Sequence, residues 1–382
     1  MATPTIVLTM IVKNEAHVIE RCVASALPGI DAWCIVDTGS TDGTQDIVRR
    51  ALGHLPGALY EVPWQDFAYN RSKALELAAH HGDFALMIDA DTVCVFTDGF
   101  DRTTFCNGLA GDHFSVMIEH FGLEFTRPAI TSTRLPYRYR GVLHEFAAAP
   151  DGARNGGVVA GLRFRSHQDG ARSRNPRKFL DDAAVLERAV REGDGDLRPR
   201  YQFYLAQSLR DASEDALALE AYERRAAMGG GFVEEQAVAW MAVGHLRTKL
   251  GHPVSTVIDA YLQAYDLVPW RAEWLCHAAA AARVAGRHAT AYALASTGLR
   301  IPRPAEALFL EPAVYEWRLD YEVSISAYYT PHKDDGAAAC RRVLLHPGVP
   351  APEREATLNN LRFYPDSPDA ATRGTSGLIP LR

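Results

Sequence analysis

The residues with the clearest chemistry are Asp89-Ala90-Asp91, two carboxylates that close the apolar run Phe84–Ile88. A buried hydrophobic strand rarely ends on two charges with nothing for them to face. Magnesium and manganese prefer carboxylate oxygens and keep coordination positions for phosphates. A cation here would bridge two phosphates and neutralise a departing diphosphate. The triplet also fits a solvated strand end, so its neighbours must decide. Upstream, Asp37 closes a second apolar run and opens the polar turn Thr38-Gly39-Ser40-Thr41-Asp42-Gly43-Thr44. Its carboxylate suits a base N–H or a ribose hydroxyl. Ser40, Thr41 and Asp42 suit a helix N-cap and turn, and both roles hold together.

These carboxylates need elements to place them. Apolar runs at Thr5–Val12, Ala32–Val36, Ala58–Val62 and Phe84–Ile88 read as strands. Between them Ala16–Ala26, Gln45–Leu52 and Tyr69–His80 have helical spacing. Pro28-Gly29 stops the first of these helices. This alternation predicts a mostly parallel sheet with helices on both faces, which binds ligands at the carboxyl ends of its strands. Asp37 and Asp89 both sit at such ends. Phe114–Ile118, Ala129–Arg134 and Val158–Phe164 are again strand-like, and the basic stretch Arg165–Lys178 reads as a hinge.

From Phe179 onward the pattern is helical. Ala221-Tyr222-Glu223-Arg224 is matched by Ala260-Tyr261-Leu262-Gln263, 39 residues on, and by Ala291-Tyr292-Ala293-Leu294, 31 further. Such spacing predicts a tetratricopeptide-like solenoid of helix pairs. Pro365–Arg382 is rich in Pro, Gly and Ser and reads as a tail. The expected domains are 1–170, 171–350 and an extension at 351–382.

The 382 residues carry a net charge of −7, which gives no general pull toward nucleic acid or an anionic membrane. Six cysteines without a CxxC pair read as reduced thiols of a cytoplasmic protein. No run approaches the ~20 apolar residues of a membrane helix, so no membrane insertion is expected.

Taken in order, Thr9-Met10-Ile11-Val12-Lys13-Asn14-Glu15, Ile35 to Thr44, Tyr69-Asn70-Arg71-Ser72 and Asp89-Ala90-Asp91 resemble a family 2 glycosyltransferase of the GT-A fold. With the helical half, the chain is similar to bacterial and phage enzymes that join this domain to tetratricopeptide-like repeats, among them peptide S-glycosyltransferases. The resemblance covers most of the chain and weakens after about Pro350. It implies an α/β GT-A domain followed by an all-α one. It also implies a metal-dependent, inverting transfer of sugar from a nucleotide diphosphate sugar, a uridine one by default. Thr9, Ile11 and Glu15 would line the nucleotide, Asp37 would contact base or ribose, and Arg71 would lie nearby, although Arg71 also fits a surface charge. Asp89 would sit nearer the ribose and Asp91 would hold Mn2+ or Mg2+.

Inversion needs a group to take the acceptor's proton. In Tyr139-Arg140-Gly141-Val142-Leu143-His144-Glu145, Glu145 is the candidate base and His144 would orient the acceptor or a phosphate. A polar strand edge is the alternative. His167 would complete the metal site or be an ordinary loop histidine. In the hinge, Arg172 and Lys178 lead the residues that would grip phosphate, against a solvated linker. Trp64 and Trp270 could stack on sugar or base, while Trp240 and Trp274 read as core.

The acceptor stays open among a peptide, a glycan and a modified phage DNA base, and the oligomeric state is not legible. A second class is an inactive transferase-like scaffold that binds a partner through its helical repeats. A nucleotidyltransferase would need a glycine-rich loop after the first strand, and Ile11–Glu15 contains no glycine.

Overall fold

The computed structural model describes residues 3–120, 123–193, 195–304 and 307–364. It divides into two compact units, Met1–Val185 and Leu186–Arg382.

The first unit begins with β1 (Ile6–Val12), α1 (Ile19–Ala26), β2 (Ala32–Asp37), α2 (Thr44–Leu52), β3 (Gly57–Glu61), α3 (Phe67–Ala78) and β4 (Phe84–Met87). β1 and β2 are apolar along almost their whole length because both faces of the sheet are covered. β5 (Thr92–Phe96), α4 (Arg102–Asn107), β6 (His113–His120) and β7 (Leu123–Ser132) follow. β8 (Arg138–Arg140), β9 (Phe146–Ala148) and β10 (Asn155–Ser166) complete the strands. Eight strands form one sheet in the order β3-β2-β1-β4-β7-β6-β10-β5, and β8 and β9 form a separate hairpin. β3, β2, β1 and β4 run parallel, as does the β6–β10 pair. β7 runs antiparallel to both its neighbours, and β5 to β10. The expected parallel α/β sheet is therefore present, with antiparallel insertions on one side.

Three local differences matter. α3 starts before Tyr69 because Asp66 caps it, accepting from Tyr69 N at 2.7 Å. His144-Glu145 lies in the turn joining β8 to β9, not on a strand edge. The boundary between units falls inside a helix, later than residue 170, because Ala171 bonds to Glu15 and Arg172 packs on Phe67 of the first unit.

Among the described residues the regular elements of the second unit are helices: α5 (Lys178–Glu192), which crosses the boundary, α6 (Arg198–Asp211), α7 (Asp215–Ala227), α8 (Val233–Lys249) and α9 (Val254–Leu267). Then come α10 (Glu273–Val284), α11 (His288–Gly298), α12 (Leu319–Ser326), α13 (Lys333–Leu345) and α14 (Ala351–Leu361). α14 occupies the start of the extension expected at 351–382, and Pro365–Arg382 lies outside the described residues. The repeated Ala-Tyr pairs fall on α7, α9 and α11, the second helix of each successive hairpin. There Ala221, Ala260 and Ala291 are fully buried. Gly244 on α8 admits the Tyr261 ring, since a Cβ there would lie 2.5 Å from it. Among the described residues no helix is long and apolar enough to cross a membrane. All six cysteines are free and buried.

Trp274 is 0% exposed, and its indole donates to Val268 O at 3.0 Å. Trp274→Ala should cost about 3–5 kcal/mol through the cavity it leaves, read as a lower urea midpoint for the loss of helical circular dichroism.

Candidate active site

The parallel register aligns Val12 with Asp37 and Thr9 with Met87, so the carboxyl ends of β1, β2 and β4 open on one side. Two adjoining cavities occupy that side, of about 750 Å³ and about 370 Å³. Ile11, Glu15, Phe67 and Arg172 line both. Lys13, Asn14, Thr38 and the half-exposed Trp64 line the larger. Arg71, Asp89, Asp91, Arg127 and Lys178 line the smaller.

The larger cavity is framed by two loops stitched together. Asn14 N donates to Ser40 Oγ (2.9 Å), Glu15 N to Thr44 Oγ1 (2.8 Å) and Thr41 N to Asn14 Oδ1 (2.8 Å). Asn14 takes a left-handed conformation (φ 58°), where glycine would be the easier residue. Asp42 accepts from Ala16 N and Thr44 N, so the polar turn secures the starts of both following helices. Asp37 is 1% exposed. Its Oδ1 accepts from Gly39 N and Ser40 N, both at 2.8 Å, while Oδ2 is buried with no partner. A buried carboxylate oxygen left without a donor is costly and points to one supplied by a ligand. Thr9, by contrast, lies inside β1, fully buried, with Oγ1 3.5 Å from Ala74 O. It does not line either cavity.

The smaller cavity is organised by Arg71. This residue is buried on α3 and does not form part of a solvated surface. Its Nη2 donates to Asp89 Oδ1, its Nε lies 2.6 Å from Glu145 Oε1, and its guanidinium stands 5.7 Å from the Tyr139 ring centre. Arg127 Nη1 donates to Asp89 Oδ2 at 3.1 Å. Burial alone would raise the Asp89 pKa, but Arg71 and Arg127 outweigh it and hold the carboxyl well below the usual range. Arg127 and Tyr139 carry no motif and come from β7 and β8, so only the fold brings them here.

Asp91 is partly buried among other carboxylates. Its Oδ2 is 3.4 Å from Gly170 N, and burial, then repulsion from Asp89, pushes its pKa up. Glu15 accepts from Ala171 N at 3.1 Å and is also pushed up, first by burial and, less strongly, by Asp91. His167 donates its backbone N–H to Asp91 O at 3.1 Å, but its side chain is exposed and outside the cavity lining. Asp169 is held by Arg21 at 2.7 and 3.0 Å. Segment 167–171 is thereby fastened over the cleft.

Glu145 is tied to the Asp89 end of the cleft through Arg71 but lines neither cavity. His144 beside it is exposed and left-handed (φ 50°). Of the basic hinge residues, only Arg172 and Lys178 line the smaller cavity. Arg172 pairs with Asp182 and stands 4.7 Å from the Phe67 ring centre. Arg163 and Arg165 pair with Glu119 instead. Trp274 is core, Trp240 packs against the helical core, and Trp270 is exposed on the helical unit.

Arg71→Leu should cost about 2–4 kcal/mol at pH 7, somewhat less than a fully buried pair because 32% of the Asp89 side chain meets solvent. A depressed carboxyl pKa stabilises the fold above the unfolded-state pKa, and that contribution is lost as pH falls through the folded one. Urea unfolding should therefore show the gap between variant and wild type narrowing as pH drops below about 4.

Residues 8–97 match the family described as Glycosyl transferase family 2. A TPR repeat-containing protein of Synechococcus elongatus is 41% identical over 86 residues, 22% of this chain and 20% of that one. The SPbeta prophage-derived glycosyltransferase SunS of Bacillus subtilis is 34% identical over 91 residues, 24% of this chain and 21% of SunS. The matched part spans about a fifth of the length of these relatives. S. aureus TarS 1-349 in complex with UDP-GlcNAc aligns at a TM-score of 0.33 and 14% identity, over 69% of this chain and 89% of TarS 1-349. The matched residues span β1 to β5 and carry Asp37, Arg71, Asp89 and Asp91, so the N-terminal unit contains a glycosyl transferase family 2 domain.

Proposed function

We propose that this chain transfers a sugar, with inversion, from a nucleotide diphosphate sugar to an acceptor, and that the donor lies in the cleft between Asp37 and Asp91. The observation that carries this reading is the buried, partnerless Oδ2 of Asp37, whose chain neighbour Thr38 lines a cavity of about 750 Å³. A base N–H or ribose hydroxyl would supply the missing donor. Trp64 at the cavity wall offers a face for stacking. The diphosphate would extend toward Arg172 and Lys178, which line the smaller cavity.

Mn2+ or Mg2+ would suit the carboxylates at Asp91 and Glu15, since among the described residues neither forms an ion pair and Asp91 raises the proton affinity of Glu15, although no group of three or more ligating side chains gathers there. Asp89 fits less well, because both its oxygens already face arginines. Bound there, the ion would offset the charge of the leaving diphosphate. Among the chain's own residues, Glu145 takes the acceptor's proton as the acceptor attacks the anomeric carbon, and Arg71 keeps that carboxylate in place. His144, on the exposed side of the turn, orients the acceptor. The acceptor belongs to one of three classes: peptide, glycan or modified DNA base. A uridine nucleotide is the default donor. The six unpaired thiols suit a reducing compartment, and we place the reaction in the cytoplasm.

Calorimetric titration with uridine, guanosine and thymidine diphosphates, each with and without Mn2+, tests the donor site. One nucleotide should bind, more tightly with the ion, and Asp37→Asn should weaken it about 10–100-fold through loss of a charge-assisted hydrogen bond. A folded protein that binds none of the three overturns the reading and returns the helical unit to the centre of attention as a partner-binding scaffold. Glu145→Gln should lower kcat about 100- to 10,000-fold while nucleotide affinity holds. Equal losses in both would remove Glu145 from the role of base.

A further inference from the structure

Between the end of β10 at Ser166 and the start of α5 at Lys178 the chain forms no strand and a single short 3-10 turn, Ala171–Arg174. Side chains from in and before α1 hold this segment in place. Arg21 grips Asp169 with both arms of its guanidinium, at 2.7 and 3.0 Å, and His17 Nε2 donates to Asp169 O at 2.8 Å. On the cleft side Gly170 N lies 3.4 Å from Asp91 Oδ2, and Ala171 N donates to Glu15 at 3.1 Å. A Cβ on Gly170 would stand 3.1 Å from the Asp91 carboxylate, so glycine lets the segment lie this close. Arg172 follows directly and lines both cavities, its guanidinium on the Phe67 ring. Arg21 itself lines neither.

We propose that Arg21 is a positioning residue for donor binding, acting through Asp169 to hold segment 167–171 where the neighbouring Arg172 meets the diphosphate. This rests on the reading of the cleft as the donor site. Three features carry it. The first is direction. Asp169 is held from the α1 side, while the next two residues turn their N–H groups to Asp91 and Glu15, so the segment is pinned from both sides. The second is geometry. A two-armed guanidinium–carboxylate pair fixes orientation as well as distance. Hydrogen bonding to Arg21 also holds the Asp169 carboxyl below its usual range, which keeps the pair charged at neutral pH. The third is magnitude. The side chains of Arg21 and Asp169 are 40% and 44% exposed, and pairs so exposed add little to global stability. The effect of this pair is local: it sets how much of the time the segment is docked. A binding-competent state populated about a tenth of the time weakens apparent affinity about tenfold.

Calorimetric titration of the full chain with uridine, guanosine and thymidine diphosphates supplies the probe, which is the one that wild type binds. Arg21→Ala and Asp169→Ala should each raise its Kd about tenfold, and the double variant should lose no more than either alone. Arg21→Lys, which keeps the charge without the two-armed geometry, should fall between. Removing Arg172 and Arg21 together should cost no more than removing Arg172 alone, because Arg21 acts through it. The urea midpoint of Arg21→Ala should match wild type. Amide exchange at Gly170 and Ala171 should quicken in that variant while the amides of β1 and β4 keep their protection. Glu20→Ala removes a neighbouring surface pair with Arg50 and should change neither affinity nor exchange. The proposal is overturned if folded Arg21→Ala binds the nucleotide as wild type does, or if exchange at Gly170 and Ala171 is unmoved. A wild type that binds none of the three nucleotides removes the donor reading itself, and this proposal with it.

Discussion

The buried guanidinium of Arg71 is the interaction on which the first unit turns. It joins α3 to the end of β4 through Asp89 and to the β8–β9 turn through Glu145. With Arg127 the group balances two positive against two negative charges, with Arg71 and Glu145 mostly shielded from water and Asp89 and Arg127 partly exposed. Each member is tolerable only because the others are present. The geometry also changes what Asp89 does. Facing two arginines, it has its charge already matched, which is why the proposed ion is assigned to Asp91 and Glu15 instead. The arrangement links the proposed donor cleft to the proposed base, Glu145, by one side chain.

The larger cavity depends on a different device. Nucleotide-binding loops often use glycines to bring backbone close to a phosphate. Here the β1–α1 loop has none, and side-chain hydrogen bonds between Asn14, Ser40, Thr41 and Thr44 hold its shape instead. Asp37 is fixed by one oxygen to the same turn, which leaves the other oriented and free of partners. In the proposed role this is preorganisation of a binding group by its neighbours.

The parallel half of the sheet was legible because strands covered on both faces must be apolar throughout, and β1, β2 and β4 are. Asp37 and Asp89 were legible for the same reason, as charges at the ends of such runs. The helical half was legible through Ala221, Ala260 and Ala291, whose burial against a neighbouring helix forbids a larger side chain. β5, β8 and β9 were not, being short and without a clear alternation. Arg127 and Tyr139 look like ordinary strand residues, and their partners lie far away in sequence. Thr9 shows the opposite limit. It belongs to a recognisable stretch, yet a strand that continues three residues past it keeps its side chain in the core, leaving Ile11 and Glu15 to reach the cleft.

The fastening of segment 167–171 has a consequence for synthesis. The parallel strands that lead to Asp37 and Asp89 leave the ribosome before the segment that covers them, and Arg71 can pair with Asp89 only 18 residues downstream of itself. Arg127 arrives 38 residues after Asp89. Ala171, the donor to Glu15, is made 156 residues after its acceptor. Contacts that close loops so long form late. A nascent chain therefore builds the floor of the cleft early and its cover last, so the emerging domain passes through a stage with an open, acidic groove before it is sealed.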